Sequence, residues 1–89
     1  MERVVARISE GEAIVADGVA AQVRIARPPA EAVGWYGYVT FPPGVVPQVG
    51  LPYRFETADG RSGDVVFTRS EFDPRRSTEA RFRGLGRLR

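Results

Sequence analysis

Residues 19–26 read Val-Ala-Ala-Gln-Val-Arg-Ile-Ala and carry the clearest strand pattern in the chain. Apolar side chains occupy every second position from Val19 to Ile25, and the positions between them include Gln22 and Arg24. Because successive side chains of a β-strand point to opposite faces, an alternation of this kind predicts a strand with one buried face. We therefore expect a β-strand here, with the valines directed into a core.

Two glycine-containing turn signals precede this stretch, Glu10-Gly11 and Asp17-Gly18. A glycine that follows an acidic residue is typical of two-residue hairpin turns, because glycine adopts positive φ without steric cost. The signals predict three short strands joined as an antiparallel meander, over residues 3–9, 12–16 and 19–26.

The same alternation recurs in the rest of the chain and predicts four further strands, over residues 34–41, 51–58, 65–69 and 78–83. Residues 30–33 could form one helical turn, which is too short to count as a helix. The connection over residues 70–77 is polar, and Phe72 is expected to anchor it.

Six or seven short strands without a long helix predict an all-β fold, a small antiparallel β-barrel formed by residues 1–89 as a single domain. A two-sheet sandwich is the alternative; a barrel is favoured because closure removes the sheet edges. The pattern does not separate an SH3-like from an OB-like strand order. The residues expected to point inward are Val4, Ile8, Val15, Val19, Val23, Ile25, Trp35, Val39, Phe41, Leu51, Tyr53, Phe55, Val65, Phe67 and Phe82.

The composition excludes several kinds of chemistry. The chain has no His, no Cys and, since its 13 basic residues are all Arg, no Lys. It therefore lacks the commonest general base, a thiolate nucleophile and a Schiff-base amine. Ser62 lies between glycines, but without a His to activate it a hairpin loop is the expected role. We expect no catalytic residues, no metal site and no cofactor.

The sequence also gives no sign of a membrane segment. The longest stretch with few charges, residues 28–51, is interrupted by glycines and prolines and does not suit a spanning helix. The first residues have no apolar segment typical of a signal peptide. A cytoplasmic protein is the expectation.

The net charge of +2 hides an uneven distribution. Residues 1–74 hold seven Arg and ten acidic residues, a net of −3, whereas residues 75–89 hold six Arg and only Glu79, a net of +5. A basic end of this kind predicts contact with an acidic partner or with phosphates, or pairing with the acidic remainder of the same chain. The candidate basic patch, in which the last four residues are expected to form one row, is Arg75, Arg76, Arg81, Arg83, Arg87 and Arg89.

Two further features are candidate contact surfaces. Tyr36 and Tyr38 fall on the outer face of the predicted strand 34–41, where they could stack on unpaired bases. The loop that follows, residues 41–47, is rich in proline and contains the adjacent apolar residues Val45 and Val46. If the loop is exposed, the two valines could form a partner-binding patch with Trp35 or Tyr36, and if it folds back it would cap the barrel.

Together these features favour a non-catalytic interaction module that binds a protein partner, through its loops or by strand addition at an open edge, or that self-associates as a homodimer. The alternative is a barrel that binds single-stranded DNA or RNA through the Arg-rich last strand and the exposed tyrosines.

Overall fold

A computed structural model of the protein describes residues 1–25, 34–71 and 75–89. These residues form six strands, which are β1 (Glu2–Glu10), β2 (Ala13–Ile25), β3 (Trp35–Phe41), β4 (Pro52–Thr57), β5 (Ser62–Glu71) and β6 (Thr78–Leu85). The strands close into an antiparallel barrel in the order β1-β2-β3-β6-β5-β4, which confirms the predicted small all-β barrel. The predictions for Ala26, the turn at 30–33 and Phe72 lie outside the described residues.

The N-terminal region has two strands where the sequence predicts three. The expected strands 12–16 and 19–26 belong to the single strand β2, so the hairpin predicted at Asp17-Gly18 is wrong. β1 pairs with β2 on both sides of this dipeptide. Between the paired positions, Asp17 and Gly18 of β2 lie opposite the single residue Arg7 of β1. Gly18 has a φ of 64°. A positive-φ glycine serves a β-bulge as well as a hairpin turn, and here it bends a long strand.

Barrel closure depends on two pairings between strands that are distant in sequence. β3 pairs with β6 rather than with β4, and β1 pairs with β4 through residues 6–9 of β1. Each described strand therefore has a neighbour on both sides. Closure removes the free sheet edge that strand addition by a partner would need.

The barrel interior is filled mainly by the predicted apolar residues. The buried core consists of Ala6, Ile8, Ala16, Val19, Ala21, Val23, Trp35, Val39, Phe41, Tyr53, Phe55, Val65, Phe67, Ala80 and Phe82. Val4, Val15 and Leu51 are only partly buried against it. Ile25 is 44% exposed, contrary to the prediction, because it is the last residue of β2 and lies at the rim of the barrel.

Trp35 fixes the end of the barrel at which β3 begins. Its indole Nε1 donates a hydrogen bond to the carbonyl oxygen of Gly86 at 2.9 Å. The ring lies directly over Gly84 and Gly63, where an added Cβ would come within 2.1 and 2.7 Å of indole atoms. Side chains at these two positions would displace the indole, so the glycines of β5 and β6 form the seat of the tryptophan.

Candidate functional site

The outer face of β3 presents the two predicted tyrosines. Tyr36 is 42% exposed and Tyr38 is half-buried. They are two residues apart on one strand, which separates their Cα atoms by about 6.6 Å. Gly37, between them, packs so closely on β2 that an added Cβ would lie 1.8 Å from the carbonyl oxygen of Gln22. The tyrosines are therefore carried by a strand held tightly to its neighbour.

Arginines from both neighbouring strands flank these tyrosines. In the barrel register, Tyr36 lies opposite Arg24 of β2 on one side and opposite Arg83 of β6 on the other. Tyr38 lies opposite Arg81 of β6. Residues opposite each other on one face of a sheet have Cβ atoms about 4.5–5.5 Å apart, so these side chains are immediate neighbours. We call this surface the Arg–Tyr face, and it consists of Arg24, Tyr36, Tyr38, Arg81 and Arg83.

The arginines of the Arg–Tyr face have no acidic partner within the described ranges. No described carboxylate lies within 4.0 Å of the guanidinium of Arg24, Arg81 or Arg83, and all three residues are exposed. Among the described residues, no ion pair neutralises their charges. An exposed cluster of this kind attracts anions from solution.

A cleft of about 120 Å³, which we call the first cleft, borders the Arg–Tyr face on its β5 side and is lined by Tyr38, Arg69, Glu71, Glu79 and Arg81. Arg69 of β5 lies directly opposite Arg81, an arrangement that is unfavourable for like charges. The Nη2 atom of Arg69 lies 3.8 Å from Oε1 of Glu71. This contact is long and exposed, and it offsets the repulsion only weakly.

A second cleft lies on the other side of Tyr38. Its volume is about 220 Å³, and its lining includes Arg3, Gln22 and Thr40. Arg3 of β1 pairs with Gln22, which in turn pairs with Tyr38. A row of polar and aromatic side chains thus crosses the outer surface from β1 to β5, with Tyr38 as the ridge between two clefts.

The predicted basic patch is divided by the structure. Arg81 and Arg83 lie on the Arg–Tyr face, but the expected continuation of their row through Arg87 and Arg89 is wrong. β6 ends at residue 85, and Gly86, with a φ of 82°, redirects the chain. Arg87 then lies beside the indole of Trp35 at the end of the barrel, and the backbone of Arg89 exchanges hydrogen bonds with that of Ser62.

Arg75 and Arg76 also lie apart from the Arg–Tyr face. Both are exposed, precede the first residue of β6 and have partners of their own. The six arginines of the chain end therefore occupy three places in the fold: before β6, on its outer face and beyond its last residue. Only the middle pair joins the tyrosines.

The apolar loop after β3 folds back onto the barrel. Val45 is half-buried and packs against the core, and its backbone N–H donates to the carbonyl oxygen of Pro42 at 3.1 Å. Pro47 is buried as well. Val46 is 43% exposed. The two valines that the sequence places in one contact surface therefore have different environments.

Sequence reasoning did not single out Arg24 or Arg69 as site residues. Arg24 falls on the outward side of the clearest strand in the chain, and that position was the available signal. Its position opposite Tyr36 depends on the pairing of β2 with β3. The position of Arg69 opposite Arg81 depends on the pairing of β5 with β6. An outward arginine becomes a candidate site residue only when the neighbouring strands are known.

The opposite side of the barrel shows a different use of arginine. The guanidinium of Arg61 donates to both carboxylate oxygens of Glu2 at 2.9 Å and, through Nε, to Oδ1 of Asp59 at 3.2 Å. Hydrogen bonds from Arg61 and from the hydroxyl of Thr57 lower the pKa of Asp59 to about 2. Hydrogen bonds to Glu2 and to Asp59 raise the pKa of Arg61. This cluster ties the start of β1 to the turn between β4 and β5.

Two other arginines on that side are paired too. Nε of Arg7 lies 3.3 Å from Oδ1 of Asp17, across the bulge of β2, and a hydrogen bond from Arg7 lowers the pKa of Asp17. Nη1 of Arg54 lies 3.6 Å from Oδ1 of Asp64, and these two residues are opposite each other in the β4–β5 pairing. Arginine here joins neighbouring strands through ion pairs.

Residues 1–25, 34–71 and 75–89 contain no group of three or more His, Cys, Asp or Glu side chains that could hold a metal ion. In the same part of the chain, we find no helix with the length and apolar character that a membrane crossing requires. Comparison with protein-family models, with curated proteins and with solved structures gives no match for this chain.

Proposed function

We propose that this protein is a non-catalytic module that binds single-stranded nucleic acid on the Arg–Tyr face. The observation that carries the proposal is that Tyr36 lies between Arg24 and Arg83, and Tyr38 lies beside Arg81. These arginines have no described carboxylate partner. Bases stack on aromatic rings with a gain of about 1–3 kcal/mol each, and arginines neutralise the phosphates that link them.

The shape of the face favours a single strand over a duplex. The tyrosines lie on the outer surface of a closed sheet, and the described residues include no helix that could enter a major groove. In a duplex the faces of the bases are covered by their neighbours, so an aromatic side chain gains little from stacking. In a single strand the faces are accessible, and two successive bases could each use one ring.

The chemistry of the face favours nucleic acid over a protein partner. The buried centre of a protein–protein interface is usually apolar. Of the two adjacent loop valines only Val46 is exposed, because Val45 packs against the core. The Arg–Tyr face itself combines three positive charges with two aromatic rings. That combination matches a chain with one negative charge and one flat base per unit.

The test is a titration of a fluorescently labelled single strand of about 12 nucleotides, followed by anisotropy at about 50 mM salt. We expect binding by the native protein and a loss of about 5-fold or more in affinity for Tyr36→Ala and for Arg83→Ala, because each removes one stacking or phosphate contact. The matched control is Arg54→Ala, which removes an arginine that already has the partner Asp64. It should bind as the native protein does.

Three outcomes would contradict the proposal. The native protein could fail to bind at about 50 mM salt, the condition that favours electrostatic contacts. It could bind a duplex of the same length as tightly as the single strand. An acidic peptide could bind through Arg83 and Tyr36 while the oligonucleotide does not, in which case the ligand is a protein.

A further inference from the structure

The first cleft contains an arrangement of charges that the binding of phosphates alone does not explain. Glu71 of β5 lies directly opposite Glu79 of β6, and in the next row Arg69 lies directly opposite Arg81. Like charges opposite each other destabilise a sheet. The two like-charged pairs are adjacent, so two carboxylates and two guanidinium groups surround one small cleft beside Tyr38.

Glu79 is the unpaired acid of this group. It is exposed and, among the described side chains, has no ion pair and no hydrogen bond, whereas Glu71 has its long contact with Arg69. A phosphate placed beside Glu79 would be repelled by it. A strand bound to the Arg–Tyr face must therefore turn a part without charge toward the first cleft, and the uncharged part of a nucleotide that reaches furthest from the backbone is the base.

We propose that the first cleft is a base-recognition subsite that selects cytosine, an inference that rests on the proposed function. With the base stacked on Tyr38, the exocyclic amino group of cytosine donates to the Glu79 carboxylate. The ring nitrogen N3 and the oxygen O2 of the same base accept from the guanidinium groups of Arg69 and Arg81. The cleft thus supplies one acceptor and two sets of donors to an edge with one donor and two acceptors.

The other bases match this set of side chains less well. Uracil and thymine carry a carbonyl oxygen where cytosine has its amino group, so their lone pairs would face the Glu79 carboxylate. Guanine likewise carries a carbonyl oxygen in that position. Adenine has the amino group but lacks the O2 acceptor, and it would leave one guanidinium without a contact on the base.

The experiment compares oligo(dC) and oligo(dT) of equal length by anisotropy at pH 7.5. We expect the native protein to bind oligo(dC) about 5- to 10-fold more tightly, near the lower limit for a specific base contact because the cleft is open to solvent. The variant Glu79→Gln should reduce this ratio to about 1, because its amide can donate to the carbonyl of thymine as well as accept from cytosine. Glu12→Gln, which removes the same charge in the exposed turn after β1, should leave the ratio unchanged.

The outcomes separate this inference from the proposed function. Equal binding of the two oligonucleotides by the native protein would overturn the cytosine subsite while leaving the Arg–Tyr face as the binding surface. A preference for oligo(dC) that survives Glu79→Gln would also overturn it, since the discrimination would then come from elsewhere. Failure to bind either oligonucleotide would overturn the proposed function and the subsite with it. The near-ultraviolet circular dichroism signal of the buried Trp35 checks that each variant retains the native barrel.

Discussion

The two sides of the barrel use the same side chain for different purposes. On the side formed by β1, β4 and the turn between β4 and β5, three of the four described arginines each contact a carboxylate, and these are Arg7, Arg54 and Arg61. The fourth, Arg3, lines the second cleft. On the side formed by β2, β3 and β6, the described arginines contact none and instead flank two tyrosines. The paired side holds strands together. The charges of the Arg–Tyr face have no described ion-pair partner, and we propose that they bind a ligand.

This difference shows why total charge says little about the surface of this protein. Exposed ion pairs contribute about 0–1 kcal/mol each, so the arginines of the paired side matter mainly where they join distant parts of the chain, as Arg61 does with Glu2. The arginines of the Arg–Tyr face gain no such energy from the fold. Substitution of an arginine on the paired side should therefore affect stability, and substitution of an arginine on the Arg–Tyr face should affect binding.

The largest expected effect comes from breaking the support of the Arg–Tyr face with Gly37→Ala. The new Cβ would lie 1.8 Å from a backbone carbonyl of β2, and a backbone atom has no rotamer by which to move away. Overpacking of a core lowers the free energy of unfolding by about 1–3 kcal/mol, and we expect a decrease of about 3 kcal/mol here, measured by urea unfolding. Thr40→Ala, on the same strand and half-buried, should cost less than about 1 kcal/mol. Unchanged stability of Gly37→Ala would show that β2 and β3 are not packed so closely.

A reciprocal pair of substitutions sharpens the comparison between the sides. Arg61→Gln should lower the free energy of unfolding by about 1 kcal/mol, because it removes the bidentate salt bridge with Glu2 and the contact with Asp59. Arg83→Gln should change it by less than about 0.5 kcal/mol while weakening oligonucleotide binding. Urea unfolding measures the stability of both variants, and anisotropy measures their binding to the oligonucleotide. Equal loss of stability would mean that the two arginines have the same role.

A smaller effect is expected in acid, and only on the paired side. The pKa of Asp59 is lowered from 3.8 to about 2 in the folded protein, so its ionised form stabilises the fold. This contribution is complete above about pH 4 and is lost as the pH falls through about 2. The Tm of Asp59→Asn should lie below that of the native protein at pH 7, and the gap should close toward pH 2. A gap that stays constant with pH would contradict the role of the Asp59 charge.

The sequence predicts most of the fold because alternation is a local signal. It indicates the strands, the core aromatic residues and the outward position of Tyr36 and Tyr38. It fails at Asp17-Gly18, where a hairpin and a bulge require the same positive-φ glycine. The choice between them depends on the pairing of β1 with both halves of β2, which is a property of two strands together.

The candidate site is less predictable because it is assembled by non-local pairing. Tyr36 meets Arg83 only because β3 pairs with the last strand of the chain, and Gly84 is needed only because the indole of Trp35 lies over it. In sequence, Arg83 and Arg87 look like members of one row. The positive φ of Gly86 separates them, and the sequence alone gives no direction for that turn.

The salt dependence of binding tests the claim that the arginines of the Arg–Tyr face are free to neutralise phosphates. Each phosphate contact on a single strand contributes about −0.7 to the slope of log affinity against log salt concentration. On oligo(dT), in which no cytosine engages the guanidinium of Arg81, three contacts predict a slope of about −2 for the native protein, about −1.4 for Arg83→Ala, and an unchanged slope for Arg54→Ala. A slope near zero, or one that Arg83→Ala leaves unchanged, would contradict the claim.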